Sequence, residues 1–265
     1  MPFHVITGEL RPDFGKPDGD SMRFVPDNPA PLFQLTRRGS GPKINQSNDS
    51  IQLRYESIDT MESSAGALAT AATQSNIELA NAGGTPRRAY ICSTQLGPNG
   101  RPIVFVFTGE PTVNDGDSVF LRPDDIMTSI NMQQFDRGHA YPLFYDTLFD
   151  DLRERCVEVS QAARAANRGV WAEDASMDEV EWTGDVDTLP PIFPKLWRRI
   201  DKFVRDETLF DDEAPFRNLK EFIGRTNERV AILSQQIFTG FDNVIETTDT
   251  TVKLTVDPHD LVVIS

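Results

Sequence analysis

Four short motifs follow one another along the chain: Asp18-Gly19-Asp20-Ser21, Arg54, Asp59-Thr60-Met61-Glu62 and Gly100-Arg101. Two carboxylates at predicted strand ends, Asp20 and Asp59, could bind a hard divalent cation through oxygen, with the Thr60 carbonyl as a further ligand. Such an ion accepts a phosphate oxygen and polarises the phosphorus. Arg54 and Arg101 present planar forks that match phosphate oxygens bidentately. Glu62, beside a metal and a phosphate, could take a proton from an attacking water. Cation, arginines and carboxylate base together supply what phosphodiester hydrolysis needs: charge neutralisation and an oriented nucleophile.

Taken singly, each motif has a plainer explanation. Asp18-Gly19 suits a hairpin turn. Arg54 shares a strand face with Glu56 and could simply pair with it. Glu62 suits a solvated loop, and Arg101 an exposed strand end. The chemistry rests on the four occurring together and in order. A second Asp-Gly-Asp-Ser, at residues 115–118, lies after Arg101 and reads as a turn. His4, His139 and His259 are scattered and pair with no nucleophilic Ser or Cys pattern. No Gly-rich phosphate loop is present. Cys92 and Cys156 sit in no CxxC or Cys/His cluster, so they read as core thiols rather than a disulfide framework or zinc site.

These side chains need a frame to hold them. Phe3 to Glu9, Ser21 to Val25, Ile51 to Ile58, Ala89 to Ser93 and Ile103 to Phe107 read as strands, with Asn99-Gly100 as a hairpin turn. Residues 26–49 form a long excursion with a short strand at Leu32 to Leu35. Ser64 to Ala72 suggests a short helix. Ile126, Ile130 and Met132 to Phe135 suggest another ending near Gly138. Leu148, Leu152, Cys156, Val159 and Ala163 recur at helical spacing. Five strands with interleaved helices fit a small barrel of the OB type.

Residues 175–191, acidic and closed by Pro190-Pro191, read as a linker. Beyond it, 192–265 forms an extension. Leu196, Ile200, Phe203 and Val204 make one amphipathic helix; Leu219, Phe222, Ile223, Val230, Leu233 and Ile237 make a longer one. The segments 252–256 and 261–264 read as a β-hairpin, or as strands added to an existing sheet. No internal repeat of 20–50 residues is visible.

The chain has 265 residues, 41 acidic against 26 basic, and a net charge of −15. That charge argues against bulk attraction to nucleic acid. Residues 1–150 hold 12 basic and 18 acidic groups and the remainder 14 and 23, so both parts are acidic. A metal and two arginines can still supply positive charge locally. Lysine is scarce, 6 in all, and an acidic, Lys-poor surface suits a high-salt setting. No apolar run is long enough to span a membrane, so no membrane partner is expected. The first nine residues lack the basic and apolar segments of a secretory signal, which favours a cytoplasmic chain or one whose signal has been removed. The oligomeric state is not written in the sequence.

The order Asp-Gly-Asp-Ser, Arg-x4-Asp-Thr-x-Glu, Gly-Arg before an apolar strand resembles the staphylococcal nuclease (thermonuclease) family. Ser129-Ile130-Asn131 through Tyr141 resembles its second helix and following turn, and Ala162 to Trp171 the end of its third. The resemblance covers about residues 3–174, which would form an SNase-like domain over 1–174. It implies an α+β fold, an OB-fold five-stranded β-barrel with three helices. It also implies a calcium-dependent endonuclease acting on DNA and RNA and leaving 3′-phosphate ends. Asp20, Asp59 and the Thr60 carbonyl would bind Ca2+, Glu62 would activate water, and Arg54 and Arg101 would hold the scissile phosphate. Tyr141 and Tyr145 lie where base-stacking residues are expected, with ordinary packing as their plainer role. The sequence departs from the family at Met61, where proline is common, and at Pro98-Asn99, where Lys or Tyr commonly precedes Gly-Arg. Against the nuclease stands a catalytically silent OB-type module that binds nucleic acid or protein. A third reading makes 190–265 a partner-binding or dimerisation unit. All six site positions are filled, which favours the enzyme.

Overall fold

The computed structural model describes residues 2–37, 39–62, 66–84, 87–183, 185–205 and 218–265. The path of its eight-stranded main sheet runs through β1 (Phe3–Leu10), β2 (Arg23–Pro26), β3 (Ile51–Gln52), β4 (Arg54–Tyr55), β5 (Arg88–Leu96) and β6 (Pro102–Thr108), with the short strands Thr36–Arg37 and Ser118–Val119 added beside β5 and β1. The strand order is β3-β2-β1-β5-β6-β4. Only Leu53 separates β3 from β4, so one extended segment, 51–55, pairs antiparallel with β2 at its front and parallel with β6 at its back. The two ends of the sheet therefore meet in one segment, and the sheet curls into a nearly closed barrel with few unpaired edges. A register shift between Ser93 and Gln95 bends β5, and the Ser93 hydroxyl there donates to the Ile103 carbonyl at 2.7 Å.

The long strands are buried almost continuously because side chains fill the barrel on one side and helices cover it on the other. Those helices are α1 (Ala67–Asn81), α2 (Ile130–Asp136) and α3 (Asp150–Ala165). Ile130, Phe135, Leu152 and Cys156 join Phe24, Val104 and Phe105 in one apolar core. Ser129 caps α2, its hydroxyl accepting from the Met132 amide. Two further helices, α4 (Pro194–Arg205) and α5 (Leu219–Arg225), complete a mixed α+β architecture.

A second core lies beside the barrel. Trp171, Phe193, Leu196, Ile200, Phe222 and Phe241 pack there against Met61, Tyr141 and Leu143. Residues 175–191, read from sequence as a linker, contribute a short strand, Val180–Glu181, and bury Val180 and Val186 in this core.

The short helix expected at Ser64 to Ala72 runs over Ala67–Asn81, with residues 63–65 outside the described residues, and three further sequence expectations change. The helix expected over Leu219 to Ile237 ends at Arg225, after which Asn227 takes a left-handed φ of 52° and the chain returns as a hairpin, Arg229–Ile232 against Ile237–Gly240. Asn tolerates that stop, and β-branched Val230 and Ile232 favour a strand over a continued helix. Leu32 to Leu35, expected as a strand, belongs largely to a 3-10 turn, Ala30–Gln34, whose start is set by Pro31. The segments at 252–256 and 261–264 do not form a hairpin with one another. Thr251–Leu254 joins Ile245–Thr247 and Val180–Glu181, whereas Leu261–Ile264 joins Arg229–Ile232 and, in parallel, Phe144–Tyr145.

One contact binds the second core to the first. His259 shares hydrogen bonds with Asp257 (Nδ1 to Oδ1, 2.8 Å) and with Ser160 on α3 (Nε2 to Oγ, 3.0 Å). The outline is that of a Ser-His-Asp triad, but Ser160 is fully buried and its hydroxyl reaches no solute. The trio works as a fastener of residues 257–259 onto α3.

Candidate active site

The Asp18–Ser21 turn is held from below by two buried amides. The Asn76 amide of α1 donates to the Asp18 carbonyl at 2.6 Å, and its oxygen accepts from the Tyr55 hydroxyl. The Gln134 amide of α2 donates to the carbonyls of Gly19 (2.8 Å) and Ala72 (2.9 Å). Gly19 is required by proximity: a Cβ there would lie 2.7 Å from the Thr60 side chain and 2.8 Å from the Ala72 Cβ. The Tyr55 amide donates to the Asp20 carbonyl at 3.0 Å, which ties the turn to the strand carrying Arg54.

Asp59 stands two residues beyond Ser57, whose φ of 74° turns the chain sharply out of β4. A short ladder, Ile58–Asp59 against Tyr141–Pro142, then fixes Asp59. Asn131 of α2 clamps the same region, its amide donating to the Glu56 and Val104 carbonyls, both at 2.9 Å.

These supports bring Asp20, Arg54, Asp59, Glu62, Arg101 and Tyr145 to the wall of one cavity of about 350 Å³. Thr60 is buried behind it with its side chain on Gly19, and does not line the cavity. Tyr141 is not brought to the site. It lies in the second core against Trp171 and Phe193, its hydroxyl donating to Asp174 at 2.9 Å. Asp115 and Asp117 serve a turn, as expected: Asp115 accepts from the Thr7 amide and Asp117 from the Asn114 amide.

Inside the cavity Arg54 donates to the Tyr145 hydroxyl at 3.2 Å and lies 5.7 Å from that ring's centre. Arg101 has no ion pair among the described residues, and burial and the neighbouring Arg54 hold it below its ordinary value. Asp20 is pushed up to about 7 by burial and by the carboxylates of Asp59 and Asp18, against the pull of Arg54 and Arg198. No hydrogen bond or ion pair to the Asp20 carboxylate occurs among the described residues.

The sequence reading missed Arg198. Reaching in from α4, its guanidinium grips both Asp59 oxygens (Nη1 to Oδ1, 3.0 Å; Nη2 to Oδ2, 2.7 Å) and donates to Glu62 at 2.9 Å. Lys195 and Arg199 line the same wall, both paired with Glu228. A signal was present: Lys195, Arg198 and Arg199 fall at i, i+3 and i+4, a cationic stripe on the polar face of an amphipathic helix.

The donor chemistry fits a hard divalent ion. The carboxylates are oxygen donors, and Asp20 is an uncompensated acid beside two others. Arg198 occupies one lone pair on each Asp59 oxygen, so a cation at Asp59 would share the carboxylate with it or displace it. Among the described residues no three His, Cys, Asp or Glu side chains form a metal-holding group by themselves.

Glu56, next to this machinery, is buried and pushed up to about 7 by desolvation, against the Ser57 amide and Arg54. Its folded value exceeds its unfolded value of 4.5, so the unfolded chain loses this proton first as pH rises. Folding stability from this group therefore falls between about pH 4.5 and 7 and stays low above. Glu56→Gln is expected to stabilise the protein at pH 8 by about 3 kcal/mol and to change it little at pH 4. Urea unfolding at the two pH values checks this; an equal change at both removes it.

Compared with protein-family models and with curated protein sequences, the chain matches none.

Proposed function

We propose that this chain is a metal-dependent nuclease that hydrolyses phosphodiester bonds in DNA and RNA, with Ca2+ as its ion and 3′-phosphate ends as its product. One observation carries the reading. Asp20, Arg54, Asp59, Glu62 and Arg101, far apart in sequence, line a single cavity. The strand order adds support, because β1, β2, segment 51–55, β5 and β6 close as an OB-type five-stranded barrel would.

Arg54 and Arg101 bind the scissile phosphate and meet the charge that grows on it in the transition state. Tyr145 sets the plane of the Arg54 fork through its hydroxyl. Glu62 takes a proton from the attacking water as that oxygen bonds to phosphorus. The P–O5′ bond then breaks, and the leaving oxygen takes up a proton from solvent. Arg198 orients Glu62 through the hydrogen bond it donates. Asp20 and Asp59 would hold the Ca2+, which supplies neutralising charge to a phosphate oxygen when bound.

The silent binding module remains as a second reading, because Arg198 occupies both Asp59 oxygens and one of Glu62. Incubation with single-stranded DNA, plasmid and RNA separates the two. The nuclease cuts all three with Ca2+, stops with EGTA and leaves phosphatase-sensitive 3′ ends. Absence of cleavage with Ca2+, Mg2+ or Mn2+ would select the silent module.

A further inference from the structure

A groove of about 810 Å³ shares Arg101 with the candidate active-site cavity and is lined by Arg23, Lys43, Arg101, Asn45, Gln52 and Asn99 among others; none of the described residues lining it is a carboxylate. We propose that it is a subsite for the backbone phosphates that flank the scissile bond on the strand being cut. This rests on the nuclease reading and adds to it the place where the flanking strand is held.

Charge is the first argument. Most arginines in this acidic chain are spoken for by carboxylates, as with Arg88 on Asp27 and Glu110, or Arg155 on Asp124 and Glu158. Arg23, Arg37, Lys43 and Arg101 have no ion pair among the described residues, and all four gather here. Arg23, Lys43 and Arg101 line the groove, and Arg37 lies beside its Gly41, with Nη1 3.5 Å from where a Cβ on that glycine would stand. A chain of net charge −15 that leaves these cations unpaired and together has made a local anion-attracting field.

The groove is also built. The Lys43 amide donates to the Gly100 carbonyl at 3.0 Å and the Ser40 amide to that of Pro98 at 3.3 Å, locking the 39–45 loop onto the turn before Arg101. Gly100 has a φ of +72°, and a Cβ there would lie 2.2 Å from the Gly41 carbonyl oxygen, so the two loops meet as closely as backbone allows. The groove joins the catalytic cavity directly: Arg101 lines both, and Gln52 on its wall donates to Ser21 of the cavity at 3.0 Å. Its volume lies within the roughly 300–1,000 Å³ of ligand sites. Among the described residues no aromatic side chain lines it, so recognition is through phosphate charge and amide hydrogen bonds and is tolerant of sequence.

The test compares the parent with Arg23→Gln/Lys43→Gln. The ratio of kcat/KM for an oligothymidylate over that for a thymidine dinucleotide is expected to fall roughly tenfold. Binding of a fluorescent oligothymidylate in EGTA, followed against salt, is expected to weaken, with the log–log slope reduced by about 0.7 for each charge removed. If the parent cleaves but the ratio and slope stay unchanged, the groove is not a subsite and the nuclease stands. If the parent cleaves nothing, the binding arm still decides. A loss confined to the double variant supports the groove on a silent module, and equal binding overturns it.

Discussion

If the proposed nuclease reading holds, Glu62→Gln is expected to lower the rate of DNA cleavage by roughly 10²–10³-fold, and Arg101→Ala by a similar factor. Gln keeps the shape of Glu and an oxygen to accept from Arg198, but it cannot take a proton. The loss should therefore fall on kcat, with KM and thermal stability almost unchanged. Arg101 carries no structural ion pair among the described residues, so its removal leaves no buried carboxylate without a partner. Its loss removes charge stabilisation that grows in the transition state, and kcat/KM should drop without unfolding. Single-turnover cleavage of a labelled oligonucleotide, alongside thermal melts, measures both. Undiminished rates in both variants would mean that phosphodiester chemistry does not occur in this cavity.

Arg198→Met is the variant expected to destabilise the fold most. Asp59 is almost fully buried, and the variant leaves it without its cation and near Asp20. Removing one partner of such a pair costs about 3 kcal/mol, the low end of the usual range, because a third of the Arg198 side chain reaches solvent. For a chain of this size that is several degrees of melting temperature. On the proposed reading, Ca2+ bound at Asp20 and Asp59 would supply the missing charge. The melting temperature of the variant should therefore rise further on adding Ca2+ than that of the parent, and half-maximal binding should need less of the ion. Melts of both proteins in EGTA and across a Ca2+ titration give the comparison. Equal Ca2+ shifts in the two would show that Arg198 and the ion do not share Asp59.

The barrel was legible because its determinants are local. Alternation marks the strands, Asn99-Gly100 marks a turn, and the 3–4 spacing from Leu152 to Ala163 marks α3. Five site residues were legible for the same reason, since each lies in a short motif at a strand end. Arg198 was not, because its partners lie 139 and 136 residues away, and the periodicity of α4 shows which face is polar but not what that face meets. The helix expected beyond Arg225 failed where spacing is ambiguous: Val230, Leu233 and Ile237 suit a helix, but the left-handed turn at Asn227 and tertiary pairing selected strands. Tyr141 and Tyr145 are four residues apart and equally aromatic. Only the turn of the chain after the Asp59 ladder sends one into the core and the other to the cavity.

The parallel pairing of Phe144–Tyr145 with Leu261–Ile264 bears on timing. Tyr145 sets Arg54, yet its strand gains its neighbour only when residues past 260 are in place, and Arg198 arrives on α4 well after the barrel has been made. On the ribosome, the barrel can close while the pocket still lacks its far wall. Closing loops this long is slow, so assembly of the working site trails that of the barrel.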